Sequence, residues 1–147
     1  MVQGGEPQTG ENMNADESMK LINGLYKNFA KGEVQPILDQ LADQVNWATD
    51  AAGSGAPWYG QRTGPTEVAS FFAELAGAVE VNLFKPVSMT GAENRVMAYI
   101  DYEITAKATG RKGKMHLHHY FGLDQSGKIN FFRGSEDTAL TLELLGR

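Results

Sequence analysis

Hydrophobic residues recur with two different spacings along this chain, and the spacing changes near residue 79. Before that point apolar residues recur mostly every three or four positions, which is typical of helices with one buried side. Beyond it they recur mostly every second position, which is typical of strands with one buried face. The pattern therefore predicts helices followed by an antiparallel sheet, the order of an α+β domain in which helices cover one face of the sheet.

Three helices are predicted in the first part. The first begins at Asn14, because Asn14 and Glu17 have the spacing of a capping box, and it ends at Gly32. The second spans residues 33–42, and the third has Pro65 in its first turn. Their apolar stripes are Ile22, Leu25, Tyr26 and Phe29; Val34, Ile37, Leu38 and Leu41; and Val68, Phe71, Phe72 and Leu75.

One strand is predicted at 45–49, and a Gly- and Pro-containing loop follows it. The sheet continues after the third helix, with strands at 79–90, 95–108, 112–123 and 128–136. A short helix capped by Asp137 comes last. Residues 1–13 are Gly-rich, polar and aperiodic, so we expect a disordered tail followed by a single domain at 14–147.

Composition excludes several classes of partner. The formal net charge is -5, so the chain lacks the basic surface that nucleic acids require. It contains no cysteine, which rules out disulfides and thiolate metal sites. No apolar run approaches the roughly 20 residues of a membrane span, and the N-terminus has no signal-peptide pattern. We therefore expect a cytoplasmic protein with no membrane association.

All three histidines lie in one predicted strand, within MHLHHYFGLD. A hairpin loop at TGRK, residues 109–112, fixes the register of this strand against the preceding one. In that register His119 points inward opposite Tyr102, while His116 and His118 point outward. A slip of one residue would mix apolar and polar side chains on both faces, so the hydrophobic pattern favours this pairing.

The outward histidines have a spacing that some metal ligands use. Their neighbours in the predicted register include Glu103 and Asp101, which suit ordinary cross-strand pairs with His118 and Tyr120 equally well. Because the inward histidine cannot join them in one site, we expect no bound metal.

His119 has two interpretations. A buried imidazole without a hydrogen-bond partner costs about 1–3 kcal/mol, so the fold must supply one. Either Tyr102 satisfies it as part of the core, or the imidazole serves a small acid–base pocket that also faces Tyr26 on the first helix. Trp58 and Tyr59, near the end of the long loop, are likewise either a lid over an apolar pocket or a plug that seals the core.

The chain also resembles a known group of proteins. GEVQPILDQLADQVNW, then PWYG with TGPTEVASFF, then TGRKGKMHLHHYFGLDQSGKINFFRGSEDTA are similar to the SnoaL-like branch of the superfamily of ketosteroid isomerase, limonene epoxide hydrolase, polyketide cyclases and nuclear transport factor 2. The resemblance covers residues 15–140. It implies a cone-shaped, barrel-like fold, with three N-terminal helices packed on a strongly curved, mostly antiparallel sheet, an apolar pocket, and a homodimer.

Roles for single residues follow from the same resemblance. Asp50 lies near the position of the carboxylate base of ketosteroid isomerases, Tyr26 near that of their oxyanion-donating tyrosine, and His119 at their second oxyanion donor. Polyketide cyclases also carry an inward histidine at the position of His119. Tyr102 and Gly134 stand where limonene epoxide hydrolases have catalytic aspartates, so epoxide hydrolysis is not expected.

Two functions agree with these features. The first is a cofactor-independent enzyme for isomerisation, cyclisation or dehydration of an apolar, carbonyl-bearing or polycyclic compound, with His119, Asp50, Tyr26 and Tyr102 as catalytic residues. The second is a noncatalytic module of the same fold for hydrophobic-ligand binding or dimerisation. Glu136 is either a pocket carboxylate or an exposed one. The expected substrate-binding residues are Trp47, Trp58, Tyr59, Phe72, Phe121, Phe132 and Glu136.

Overall fold

Helices and a six-stranded sheet make up residues 13–147, the part of the chain that the computed structural model describes. The helices are α1 (Ala15–Ala30), α2 (Gln35–Asp39), α3 (Gly64–Ala78) and α4 (Thr138–Leu145). The strands are β1 (Leu41–Thr49), β2 (Arg62–Thr63), β3 (Val79–Ala92), β4 (Arg95–Ala106), β5 (Lys112–Leu123) and β6 (Ile129–Ser135). The predicted tail lies outside the described residues except for Met13, which is buried and belongs to the core.

The strands follow the order β2-β1-β6-β5-β4-β3 in one curved, unclosed sheet. All neighbouring strands are antiparallel except β1 and β6, which are parallel. Two register shifts interrupt the pairing of β3 with β4, and such bulges bend a strand and increase its twist. Pro86 is tolerated in β3 because that strand lies at the edge of the sheet. The predicted α+β class with a curved, mostly antiparallel sheet is confirmed.

The sequence predicted both ends of α1 to within two residues. The capping box is present, since the Asn14 side chain accepts from the Glu17 amide at 2.8 Å and the Glu17 carboxylate accepts from the Asn14 amide at 3.0 Å. The predicted second helix at 33–42 is too long, because Leu41 already pairs with Ile129 as the first residue of β1. This pairing joins segments far apart in sequence, so the helical spacing of Leu41 could not reveal it.

The hairpin between β4 and β5 differs from its prediction. Its loop comprises residues 107–111, with Gly110 at a φ of 76°, rather than the four residues TGRK. His119 consequently lies opposite Ala98 and not opposite Tyr102, a register four positions away from the predicted one. Because side chains alternate with a period of two, a shift of four leaves the faces unchanged. The predicted inward and outward sides of β5 are therefore correct although its partners are not.

The inner face of the sheet, defined here as the face covered by α1 and α3, carries the core. Along β4 every second side chain is buried, and Met115, Leu117 and Phe121 of β5 are buried on the same face. The helix α1 packs on β3 and β4, while α3 packs on β1. Aromatic rings dominate the interior, and the ring of Trp47 stacks on that of Phe132 with 4.0 Å between centroids. Helices and sheet thus meet through large flat side chains, which leave a gap between the two layers.

The close approach of α1 to β3 generates a stability prediction. A Cβ atom on Gly91 would lie 2.9 Å from the carbonyl oxygen of Ala15 and 2.8 Å from Cγ of Met19, whereas one on Gly24 would meet nothing within 4 Å. Gly91→Ala should therefore lower the free energy of unfolding by roughly 1–3 kcal/mol through overpacking. Gly24→Ala, in the same helix–strand unit, should raise it by up to about 1 kcal/mol through helix propensity. Urea denaturation of both variants measures the contrast, and equal stability of the two would show that α1 does not rest on β3 as described.

Candidate functional site

A cavity lies between the inner face of the sheet, α1, α3 and the loop of residues 50–61, called the lid loop below. Its volume is about 70 Å³, several times the space that one water molecule needs. Every residue that the sequence analysis proposed for the site lines this cavity except Asp50 and Tyr59. The walls are mostly aromatic, so the few polar groups among them determine what the cavity can recognise.

Tyr26 and His119 form the first polar feature of the cavity. The tyrosine hydroxyl lies 2.8 Å from Nδ1 of the imidazole, so the helical layer supplies the hydrogen bond that a buried histidine needs. Tyr102 was one of the partners considered for His119, but the register of β5 places Ala98 opposite His119 and Met115 opposite Tyr102. Among the described residues Nε2 of His119 has no hydrogen-bond partner, and the side chain lines the cavity.

Burial determines the protonation of this pair. It lowers the pKa of His119 to about 3, with a smaller contribution from His118, so the imidazole is neutral near pH 7. Burial also raises the pKa of the Tyr26 hydroxyl, which keeps its proton. When the imidazole proton is on Nε2, the hydroxyl donates to Nδ1 and Nε2–H can donate to a ligand. A neutral hydrogen-bond donor is therefore the chemistry that this pair offers most readily.

Glu136 is the second polar feature. Its carboxylate accepts from Nε1 of Trp58 at 3.2 Å, from the hydroxyl of Tyr59 at 2.9 Å and from that of Thr141 at 2.8 Å. Burial raises the pKa of this carboxyl group, and the three hydrogen bonds oppose the rise. The side chain turns inward because β6 ends at Ser135 and α4 starts immediately afterwards, capped by Asp137.

Hydrogen bonds hold the end of the lid loop from two sides. Trp58 and Tyr59 are both buried, and their polar atoms hold Glu136 from one side. On the other side the guanidinium of Arg62 donates to the carbonyl oxygen of Trp58 at 3.4 Å and to Glu74 at 3.2 Å. Trp58 therefore lines the cavity and both aromatic residues belong to the core, so the position of the loop agrees with the lid and the plug interpretation alike.

Asp50 does not lie in the cavity. Its side chain is 59% exposed, and Oδ1 is 3.9 Å from Nε of Arg133. The neighbouring residue Thr49 lines the cavity instead. Asp50 comes directly after β1 and its side chain points away from the cavity, so the structure does not bring this predicted base together with the other candidate residues.

The cavity also contains polar groups that the sequence analysis missed. Thr49 and Ser135 line it beside Gly134. Trp47, which was expected there for its ring, has a buried Nε1 without a partner among the described residues. An unpaired buried donor costs about 1–3 kcal/mol, so an acceptor on a ligand that reaches it would be stabilised. No local sequence signal distinguishes such a donor, because its lack of a partner depends on how β1, β6 and α3 pack.

The outward histidines form a separate cluster on β4 and β5. Nε2 of His116 is 3.2 Å from Oδ1 of Asp101, and its ring stacks on Tyr99 with 4.7 Å between centroids. His118 also lies beside Tyr99. Within residues 13–147 no group of three His, Asp or Glu side chains has the arrangement of a metal site. The helices of that part of the chain include none long and apolar enough to cross a membrane.

Solved structures of similar shape agree in fold. An NTF2-like protein of unknown function from Burkholderia pseudomallei matches with a TM-score of 0.81 and 21% identity, over 88% of this chain and 98% of that one. TerC, co-crystallised with polyporic acid, matches with a TM-score of 0.75 and 18% identity, over 88% and 98%. A candidate polyketide cyclase from Xanthomonas campestris matches with a TM-score of 0.74 and 16% identity, over 90% and 98%.

Sequence comparison assigns the family. Curated proteins gave no significant match. The family model described as a SnoaL-like domain matches residues 22–131, which include the cavity-lining segments of α1, α3, β4 and β5. This match spans most of the chain and agrees with the NTF2-like shape, so the chain belongs to the SnoaL-like domain family.

Proposed function

We propose that this protein is a cofactor-independent acid–base catalyst acting on an apolar, carbonyl-bearing or polycyclic compound, by isomerisation, cyclisation or dehydration. One observation carries the proposal: the Tyr26–His119 pair and the Glu136 carboxylate open onto the same aromatic cavity. General acid–base catalysis requires such groups within reach of one bound substrate. The aromatic walls limit the access of water, which strengthens hydrogen bonds to developing charge.

Glu136 takes the role of general base in this proposal, in place of Asp50. A base works best when its pKa lies near the working pH, and burial raises the pKa of Glu136 towards that range. Asp50, by contrast, is exposed and outside the cavity. Glu136 would remove a proton from the carbon next to a substrate carbonyl and return it to another carbon, which isomerises the substrate without a cofactor.

His119 takes the role of a neutral hydrogen-bond donor. With a pKa of about 3 it is too weakly basic to carry a proton between substrate positions near pH 7. Its Nε2–H would instead donate to the carbonyl oxygen, where negative charge develops as the carbon loses its proton. Tyr26 would orient the ring through Nδ1, and the Tyr102 hydroxyl, whose pKa burial raises, would remain protonated as a further donor.

A noncatalytic ligand-binding module is the second candidate. The observation that favours it is the set of three hydrogen bonds that already engages Glu136, since a carboxylate occupied in this way can act as a structural anchor for the lid loop. Binding of cyclic ketones without any proton exchange at carbon would support this candidate over the enzyme.

We also propose that the protein is a homodimer that associates through the outer face of the sheet. Large apolar side chains of β3 and β4 remain exposed, and that of Met97 is 51% exposed. A contiguous patch of exposed apolar side chains is typical of protein interfaces. The other large apolar residues exposed on these two strands are Leu83, Val87 and Tyr99.

Proton exchange in heavy water tests the catalytic proposal. The wild-type protein should exchange the hydrogens at C1 of 2-tetralone faster than buffer does, as followed by proton NMR. Glu136→Gln should slow this exchange by roughly 100-fold or more, because the base is removed. Asp50→Asn removes the same charge outside the cavity and should leave the rate unchanged. A loss of exchange in the Asp50 variant alone would return the role of base to Asp50.

The acid sensitivity of folding tests the state of His119. The pKa of this group is about 3 in the folded protein and 6.5 in the unfolded chain, so the unfolded chain binds the proton more readily. Stability should therefore fall by up to about 1.4 kcal/mol per unit as the pH drops from 6.5 towards 3. His119→Asn, which keeps a partner for Tyr26, should lose this part of the pH dependence. His116→Asn, at an exposed ring, should retain it in urea denaturation at a series of pH values, and identical slopes for both variants would contradict the assignment.

Sedimentation tests the dimer. Met97→Glu places a charge in the proposed interface and should shift the protein from dimer to monomer at micromolar concentration. Ala73→Glu, on an exposed position of α3, is the matched control and should leave the dimer intact. A wild-type monomer under the same conditions would reject the proposal.

A further inference from the structure

Glu136 brings a carboxylate into a cavity whose other walls carry no charge. No lysine or arginine among the described residues lines the cavity, and the imidazole of His119 is neutral near pH 7. Asp137, next in the chain, adds negative charge nearby rather than compensating it. A carboxylate buried in this way lacks the cationic partner that usually accompanies a charge in a protein interior.

Two arginines next to cavity-lining residues are engaged elsewhere. Arg62 lies behind Phe71, with 5.8 Å from Cζ to the ring centroid, and it is paired with Glu74. Arg133 lies over the ring of Phe131 at 4.2 Å, and both belong to the outer side of β6 near Asp50. Neither guanidinium forms an ion pair with Glu136.

The carboxylate keeps room for one more donor. Its Oε1 accepts only from Trp58, while Oε2 accepts from Tyr59 and Thr141. All three donors are neutral, so they stabilise the negative charge without cancelling it. A carboxylate oxygen has two acceptor positions, which leaves one on Oε1 for a ligand.

The walls around this carboxylate suit a cation as well. Indole and phenyl faces attract a positive charge through their quadrupoles, most strongly where water is excluded. Trp47, Trp58 and Phe72 present such rings to the cavity. An anion would be repelled by the same ring faces and by the same carboxylate.

We propose that the cavity selects its ligands by charge, accepting uncharged and cationic ring compounds, excluding anions, and binding a protonated amine at Glu136. This inference rests on the small-molecule site of the proposed function and narrows its substrate class to compounds without a carboxylate or phosphate on the part that enters. Amines of similar shape are then competitive ligands for the position of the substrate.

A series of three probes with one bicyclic skeleton tests the selection: 2-aminotetralin as the cation, 2-tetralone as the neutral compound and tetralin-2-carboxylate as the anion. Both tryptophans of the chain line the cavity, so intrinsic fluorescence reports binding directly. For the wild-type protein we expect the amine to bind roughly tenfold or more tightly than the carboxylate, with the ketone between them. Equal affinity for amine and carboxylate would overturn the proposal without the use of any variant.

The Glu136→Gln variant then tests whether the charge preference comes from the carboxylate of Glu136. The amine should lose roughly tenfold or more in affinity, the ketone should change little, and the carboxylate should bind better. Asp50→Asn, the matched loss of one negative charge outside the cavity, should preserve the wild-type order of the three probes. If Glu136→Gln lowered the affinity for all three probes equally, the carboxylate would only shape the cavity and the proposal would fail.

The two proposals fail in different ways. The charge order is read from binding alone, whereas the proposed reaction is read from proton exchange on 2-tetralone. An intact charge order without exchange would leave the selection standing and reject the enzyme. Proton exchange without a charge order would support the enzyme and reject the selection of ligands by charge.

Discussion

An imidazole enclosed by aromatic rings needs a hydrogen bond, and in this protein the 2.8 Å contact between the Tyr26 hydroxyl and Nδ1 of His119 provides it across the boundary between α1 and the sheet. The pair sits among aromatic rings, including Phe132, whose centroid lies 4.9 Å from that of the imidazole. This environment lowers the pKa of His119 so that its ring is neutral near pH 7, and the contact with Tyr26 engages Nδ1. The fold thereby changes a residue type known for carrying protons into one better suited to donating a fixed hydrogen bond.

Glu136 combines structural and chemical properties in a comparable way. Its three donors come from the lid loop and from α4, so one carboxylate connects two segments that follow different strands. Burial raises the pKa of this group, which means that the folded protein bears a cost for its ionised form. Such a cost is common where a group serves a site rather than the stability of the fold.

The sequence predicted the elements well where local periodicity determines them. The alternation along β4 and β5 gave the correct faces, so His119 could be placed inward even though its cross-strand partner was wrong by four positions. The length of α2 was wrong because the start of β1 depends on parallel pairing with β6, which no local pattern records. The family of the chain was evident from its segments, and the family match confirms it.

The site was less predictable than the fold for the same reason. Whether a residue just beyond a strand points inward depends on the place where the regular alternation stops, and that is a property of the tertiary structure. Asp50 follows β1 and points outward, whereas Glu136 follows β6 and points inward because α4 begins at once. The sequence could name both carboxylates as candidates but could not choose between them.

The hydrogen bonds of Glu136 also explain why stability alone cannot reveal its role. Two acceptor oxygens serve three donors, and a glutamine would offer one acceptor oxygen and an amide that itself donates. A change in stability on replacement of Glu136 therefore reports on the anchoring of the lid loop, whether or not the carboxylate acts on a ligand. The informative property is the negative charge itself, because three neutral hydrogen-bond donors do not require it and could be satisfied by other acceptors. A carboxyl group placed in an aromatic cavity without a cationic partner is better explained by a ligand, or by a proton to be removed, than by the anchoring of a loop.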